Sequence, residues 1–554
     1  MKSVLFLLFF SFCLVVVSCK LDDLPADKRL TVISNPAVVT TGAVVTTTST
    51  SATVQMTVNS LGSNTSLSEY GIVFAEDPNN NPLLTSGIAN RYTAGTLTLN
   101  TPLTVPITTN LKPGTRYFFR AYAINSAGQP VYGEVKEFTT KTAASNSLLF
   151  GGSNFDYGYF MVPTAGGGGI FAGNSNSSNG DVPANKGGYD AWVARYDANG
   201  VILWKKNYGG SSDDVLRSIQ FTTDGNVILV GNTNSTDGDL SGSGLKGEYD
   251  IWVVKLNAAS GAIIWQKTYG GSKSDFGQAV QATSDGGCIV VGRTNSNDVD
   301  INATTGRRGD FDIWALKLNS SGNIEWQKAY GGSGEERGQS VQTTRDGGYV
   351  IAGMTKSSDG QITNFKGVTD GWVVKVNSSG VLQWQIPLGG AGNDEAFCVQ
   401  QTLDNKFIVT GFIATPGTGN RNVMVSKISS DGAEESGFPA SLGGYEQDEG
   451  AYIEQIQDGS FILVANTNST DIAGLPPYRG GARDIWVVKL RADGKTIDWQ
   501  KPAGGSGDDQ SYCIRAVTDG YLLCGFTTSA AVDGKVNNGS SDVLIVKMGL
   551  DGVY

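Results

Sequence analysis

Gly209-Gly-Ser-Ser-Asp-Asp214 opens the stretch that decides the fold. It is followed by Ser218-Ile-Gln220, Thr223-Asp-Gly225, Val227-Ile-Leu-Val230, Asp250-Ile-Trp-Val-Val-Lys-Leu256, Ala259-Ser-Gly261 and Ile264-Trp-Gln-Lys-Thr-Tyr269. The stretch reads as four short strands. Tight turns follow the first and third, and about 15 residues rich in Asn, Ser, Asp and Gly follow the second. Asp-Gly and Ser-Gly are hairpin connections because glycine accepts positive φ without steric cost. The same grammar recurs from Gly-Gly pairs beginning at Gly151, Gly209, Gly270, Gly331, Gly389, Gly443 and Gly504, spaced 54 to 61 residues apart. Each pair has an acid five positions after its first glycine: Asp156, Asp214, Asp275, Glu336, Asp394, Asp448 and Asp509. Seven copies of a four-stranded unit predict an all-β chain whose C-terminal part, 146–554, is a seven-bladed β-propeller.

The register at the two ends predicts closure. The last repeat stops at Asp542-Val-Leu-Ile-Val-Lys-Met548 and lacks its Trp-Gln-Lys-x-Tyr strand, whereas Leu148-Leu-Phe150 precedes the first Gly-Gly with no strands of its own. Inserted as the outer strand of the last blade, that segment locks the ring and leaves no open sheet edge. A linear solenoid would need no such exchange. The repeats resemble bacterial β-propeller repeats common in secreted Bacteroidota proteins. The segment Asn257-Ala-Ala-Ser-Gly-Ala-Ile-Ile-Trp265 is similar to the tryptophan-docking repeats of quinoprotein propellers. That resemblance implies a fold; enzymes, receptors and scaffolds alike use it.

Residues 35–140 read as short alternating strands, with Ala52, Val54, Met56 and Val58 on one face and Tyr117, Phe119, Ala121 and Ala123 on another. Leu111, Pro113, Thr115 and Tyr117 resemble the corner of a fibronectin type III domain, in which a tyrosine hydroxyl ties back to nearby backbone. Phe138-Thr-Thr140 resembles the last strand of such a domain, although the early tryptophan of that family is absent. The polar stretch Lys141 to Ser147 reads as a short hinge.

Met1 to Cys19 reads as an export signal: Lys2, an apolar run from Val4 to Val17, then Val16-Val17-Ser18-Cys19. The four residues ending in Cys19 resemble a bacterial lipobox. This implies removal of 1–18, lipidation of Cys19, a tether over 19–34 and the membrane as a partner. Two or more acyl chains anchor stably where one does not. Lys20, Asp22 and Asp23 resemble the signal that sends Bacteroidota lipoproteins to the outer face of the outer membrane. The alternative is an ordinary signal peptide with an incidental cysteine.

The chain has 554 residues, 74 of them glycine, a net charge of −11 and no histidine. The charge argues against nucleic acid as a partner. The missing histidine removes Ser-His and Cys-His nucleophiles and His-ligated metals, so any metal would be a hard cation on oxygen ligands. Cys288 and Cys398 read as buried inert thiols, and Cys513 and Cys524 flank one hairpin across which they could pair.

Ten tryptophans fall at two sites of the repeat: Trp192, Trp252, Trp314, Trp372 and Trp486 on third strands, and Trp204, Trp265, Trp326, Trp384 and Trp499 on fourth strands. Repetition favours packing between blades over a glycan-stacking platform. Aspartates at the entry to third strands (Asp190, Asp250, Asp312, Asp370, Asp484, Asp542) read as acceptors for neighbouring amides. The seven acids after Gly-Gly admit two readings. Each caps its own turn, or together they form a negative ring at the channel mouth for a ligand or cation. Loops such as Asn234–Asp239 and Asn297–Asp300 are rich in oxygen ligands but lack the full calcium series, so no cofactor is expected, with calcium left open. Arg308-Gly-Asp310 reads as a chance tripeptide. No single repeat carries an extra Arg-Tyr-Glu cluster.

The expected function is non-catalytic: a surface lipoprotein whose loop face, carrying the long connections, binds a glycan, peptide or partner protein. The alternatives are a glycan-active hydrolase or lyase using paired carboxylates and a structural component of an outer-membrane complex. A quinone-dependent dehydrogenase would want adjacent cysteines, which the sequence lacks.

Overall fold

A computed structural model describes residues 6–10, 13–17 and 36–553, apart from short stretches at 48–50, 64–65, 77–81, 85–87, 94–96, 109–110, 113–114, 126–127, 141–146, 302–304 and 476–479. The chain divides into two compact units, Met1–Ala144 and Ser145–Tyr554. All the long elements are strands. No helix among the described residues is long and apolar enough to cross a membrane.

In the first unit, Phe6–Phe10 pairs antiparallel with Cys13–Val17. Cys19 lies outside the described residues. Strands Val38–Thr47, Ala52–Ser60 and Leu103–Ile107 form one sheet. The second sheet runs in the order Lys136–Thr139, Arg116–Asn125, Leu67–Ala75, Ile88–Thr93, with Pro130–Tyr132 also on Arg116–Asn125. Period-2 alternation turns Val54, Met56, Tyr117 and Phe119 into one core between the sheets. The Tyr117 hydroxyl accepts a hydrogen bond from the Lys112 amide at 2.7 Å, the tie expected at the corner. Pro113 of that corner lies outside the described residues. Without an early tryptophan, the core is centred on Tyr117, whose ring lies 6.1 Å from Phe74 and 5.5 Å from Phe138.

The second unit contains, among the described residues, one small two-stranded sheet, Ala531–Val532 with Lys535–Val536, and seven four-stranded antiparallel sheets. Their first strands are Asp156–Pro163, Asp214–Phe221, Asp275–Ala282, Glu336–Thr343, Glu395–Gln401, Asp448–Gln455 and Asp509–Val517. We number the sheets 1 to 7 in that order. Each first strand contacts the next, and Asp509–Val517 contacts Asp156–Pro163, so the cycle closes. Sheet 7 takes its fourth strand from the start of the unit: Ser147–Phe150 pairs antiparallel with Asp542–Met548, Leu148 opposite Ile545 and Phe150 opposite Val543. Phe150 is buried in the core shared by sheets 7 and 1, beside Phe171 and Val543.

Second strands such as Val227–Thr233 and Tyr349–Thr355 are buried along their whole length because neighbouring sheets cover both faces. This explains their continuous apolar sequence. The five third-strand tryptophans are fully buried. Burying one removes roughly 200 Å² from water, about 5 kcal/mol as an upper figure. Met424 and Leu544 occupy the equivalent register positions in sheets 5 and 7, opposite Gly411 and Gly525.

In sheets 1 to 4 the fourth-strand tryptophan staples its sheet to the next. Trp204 Nε1 donates to the Ala258 carbonyl at 3.1 Å, and the Tyr208 hydroxyl donates to the Gly261 carbonyl. Gly261 has φ +70°, and a Cβ there would lie 2.8 Å from the Trp204 ring, so the turn needs glycine twice over. Trp265, Trp326 and Trp384 repeat the arrangement on the carbonyls of Ser320, Ser378 and Ser430. Where the closing strand replaces a fourth strand, Leu148 takes the place of tryptophan against Gly200 of sheet 1.

Candidate functional site

The Gly-Gly corners settle the role of the seven acids. Asp156, Asp214, Asp275, Glu336, Asp394, Asp448 and Asp509 are all fully buried. Each accepts a hydrogen bond from the amide of its own second glycine, at 2.6 to 2.9 Å. In sheet 2, Asp214 also accepts from the Thr233 and Ser235 hydroxyls. In sheet 6, Asp448 accepts from Thr467 and Ser469. Burial pushes all seven carboxyls up, partly offset by these donors. Of the two readings the sequence admits, the open ring of carboxylates is corrected and the cap is found: each acid is buried and engaged at its own turn. No group of three or more metal-ligating side chains comes together among the described residues.

The corners also hold the sheets together. The Asp214 amide donates to the Tyr189 carbonyl of sheet 1 at 2.6 Å, and across the closure the Asp156 amide donates to Ser541 of sheet 7 at 3.0 Å. The third-strand aspartates accept amides four residues upstream, as the sequence suggested. Asp190 accepts from Lys186 at 2.6 Å and Asp250 from Lys246 at 2.9 Å. A Cβ on Gly209 would lie 2.5 Å from Asp190 Oδ1 and 2.7 Å from Asp214 Oδ2, so the first glycine leaves room for a carboxylate from each sheet. Burial, reinforced by the charge of its neighbour across the junction, pushes Asp190, Asp250 and Asp542 up to about 6.

The long loops meet the Gly-Gly turns on one face. Asn234 Oδ1 accepts from the Asp213 amide at 2.8 Å, and Asp237 Oδ1 accepts from Ser211 at 2.7 Å. Asp298 does the same for Ser272, and Asp300 pairs with Lys246 at 2.8 Å. These oxygen-rich loops are occupied in holding the turns. Arg308, of the Arg-Gly-Asp tripeptide, donates through its amide to Asp312. Cys288, Cys398, Cys513 and Cys524 are free and buried; Cys513 and Cys524 sit directly opposite one another in sheet 7.

The position that breaks the repeat lies three residues after each acid. In every sheet the register between first and second strands slips at the same place, leaving one extra residue unpaired. Such a β-bulge re-aims the extra side chain. The extra residues of sheets 1 to 4 are Tyr159, Arg217, Gln278 and Gln339. Those of sheets 5 to 7 are Phe397, Ala451 and Tyr512. All seven line a single cavity of about 500 Å³. Small residues precede most of the bulges (Gly158, Gly277, Gly338, Ala396, Gly450, Ser511). Thus one backbone device, used seven times, delivers seven unequal side chains to one place.

The charges around this cavity come from several sheets. Arg217 stacks on Tyr159, its guanidinium 4.3 Å from the ring centre. Glu449 pairs with both Arg421 and Arg483 at 2.7 Å. Glu335 receives Arg337 at 2.6 Å, Lys356 at 2.7 Å and Arg293 at 3.8 Å. Burial alone would raise Glu335, but the Arg337 and Lys356 contacts hold it below its ordinary value. Burial raises Glu395, with Arg337 and Arg421 opposing. Two of these ion pairs join residues of neighbouring sheets, Arg293 with Glu335 and Arg421 with Glu449. Gln400 of the lining accepts a 2.7 Å hydrogen bond from Gln342 and donates to the Tyr452 hydroxyl at 3.2 Å. No tryptophan lines the cavity.

No protein-family model matches the chain. It is 22% identical over 393 residues to the regulatory protein FlaEY of Caulobacter vibrioides, an alignment covering 63% of this chain and 40% of that protein. The chain thus spans less than half the length of that curated relative. Among solved structures it is similar to hydrazine synthase of Kuenenia stuttgartiensis (12% identity, TM-score 0.35, covering 60% of this chain and 90% of that one). It is also similar to a DUF4221 protein of Bacteroides vulgatus (11% identity, TM-score 0.29, covering 59% of this chain and 91% of that one). These likenesses are too distant to define the fold, which rests on the strand pairing above.

Proposed function

We propose that the second unit is a seven-bladed β-propeller that binds a ligand without catalysis in its central cavity. In this reading the fibronectin type III-like first unit is a spacer, and lipidation of Cys19 holds the protein at the outer membrane, facing the exterior. One observation carries the binding role: the seven bulge residues, which range from aromatic to cationic to amide, all converge on one cavity. The cavity size falls within the range of roughly 300 to 1,000 Å³ common for small-molecule sites. The reading moves the site from the loop rim, where the sequence suggested it, into the channel.

The test is a glycan and peptide array probed with the full chain and two variants. Tyr512→Ala removes a cavity aromatic; Tyr445→Ala removes a 78% exposed aromatic from a Gly-Gly loop. The reading expects binding to be lost with the first change and kept with the second. The reverse pattern would put the site on the rim. Metabolic labelling with a fatty-acid probe tests the anchor: Cys19→Ala should abolish the label and release the protein from membranes.

A further inference from the structure

The ligand class can be narrowed, resting on the reading that the cavity is the binding site. We infer that the cavity takes an anionic carbohydrate, with its carboxylate or sulfate on Arg217 and its sugar rings against Tyr159 and Tyr512.

Arg217 is the one charged residue among the seven bulges. It has no ion pair among the described residues. Its flat face lies on Tyr159, which leaves the edge of the guanidinium, with its forked N–H donors, to face an anion. Bidentate contacts of that kind are the strong form of arginine recognition. The other cations nearby are spoken for. Five of them (Arg293, Arg337, Lys356, Arg421, Arg483) share two carboxylates, Glu335 and Glu449. Cations thus outnumber the acids locally even with Glu395 counted, in a chain whose net charge is −11. The acids of the adjoining loops are outside the cavity lining and hydrogen-bonded locally: Asp213 accepts from the Tyr189 amide, Glu248 from the Ser274 hydroxyl and Asp508 from Gln510. Among the residues that line the cavity itself, Arg217 and Arg483 face one carboxylate, Glu449, so the lining carries a net positive charge suited to drawing in an anion.

The rest of the wall chooses among anions. Tyr159 and Tyr512 stand 5.2 Å apart at the cavity, next to the bulge amide of Gln278 and the adjacent Gln220. Side-chain amides both donate and accept, as vicinal hydroxyls require, and aromatic faces cover the apolar side of a sugar ring. One free arginine balances the single charge of a uronate or a sulfate ester. A nucleoside di- or triphosphate would need further free cations, and here they are already paired.

Titration calorimetry on the full chain tests this with matched probes: trigalacturonate against its carboxyl-reduced trimer, and sulfated lactose against lactose. The acidic member of each pair should bind at least tenfold more tightly, with affinity falling as salt rises. Arg217→Gln should remove at least that tenfold advantage, and Arg217→Lys should restore part of it. Arg345→Gln, on the opposite turns and bonded to Thr402 and Asn405, should change nothing. Thermal melts of each variant confirm folding. Equal binding of acidic and neutral sugars, weakened by Tyr512→Ala, would overturn the anion assignment and leave the cavity reading standing. Binding that survives both Arg217→Gln and Tyr512→Ala would overturn both. Failure of every sugar to bind would overturn the carbohydrate assignment.

Discussion

The corner and the bulge lie three residues apart on the same strand, yet they behave as opposites. At the corner, Asp214 and its six counterparts keep one chemistry because each must satisfy a buried glycine amide and, in most sheets, nearby hydroxyls. At the bulge, Arg217 and its counterparts share a backbone shape and almost nothing else. The corner's partners are inside the protein, so packing and desolvation hold its identity fixed. The bulge projects its side chain into open space, where the fold makes no demand. Sameness at the corner follows from its internal partners, and at the bulge that constraint is absent.

That contrast can be broken by measurement. The largest expected effect is at the ring closure: Phe150→Ala should cost about 3–5 kcal/mol, as for other buried phenylalanines, read from the urea midpoint of the full chain. Asp214→Ala should follow at about 3 kcal/mol, because a buried amide and two hydroxyls lose their acceptor, with sugar affinity per folded molecule unchanged. Gly261→Ala should cost about 2 kcal/mol through positive φ and collision with Trp204. Gln278→Ala and Gln339→Ala should shift stability by no more than about 0.5 kcal/mol. If the bulge variants destabilised as much as the corner variant, the contrast would be wrong.

The junction aspartates add a pH signature. Asp190, Asp250 and Asp542 rise from the ordinary carboxylate value to about 6 on folding, so between about pH 4 and 6 the folded state binds more protons than the unfolded. Their contribution favours folding at the acid end and is lost as pH rises through 6. Asp285 and Asp346 act oppositely: burial alone would raise them, but bonds from Lys317 and Lys375 depress them to about 2, and their contribution is lost as pH falls below 4. Asp190→Asn should therefore gain on the wild type in urea midpoint between pH 4 and 7, whereas a constant difference would contradict the assignment.

Much of this was legible in the sequence because it is local or countable. The four-strand grammar, the Tyr117 tie and the capping role of third-strand aspartates each involve residues close in the chain. The closing strand followed from counting which repeat lacked a fourth strand. The cavity was illegible for a physical reason: a bulge inserts no unusual residue, and its effect appears only when seven strands converge. Glu449 and Arg483 are far apart in the chain, and Arg217 meets Tyr159 only across a sheet junction. A signal was present nonetheless. Aligned within the chain, the column three after the acid mixes Tyr, Arg, Gln, Phe and Ala beside a column of mostly small residues. The buried lysines were likewise readable by spacing, since Lys255 and Lys375 each meet a turn aspartate, Asp224 and Asp346, at 2.7 and 2.8 Å.

A crystal structure of the full chain soaked with trigalacturonate tests most directly where ligand recognition resides. We expect sugar density inside the ring of bulges, with a carboxylate on the Arg217 guanidinium and the Gly-Gly corners unchanged. Density on the outer loops, or at the buried corner carboxylates, with the cavity empty, would contradict it.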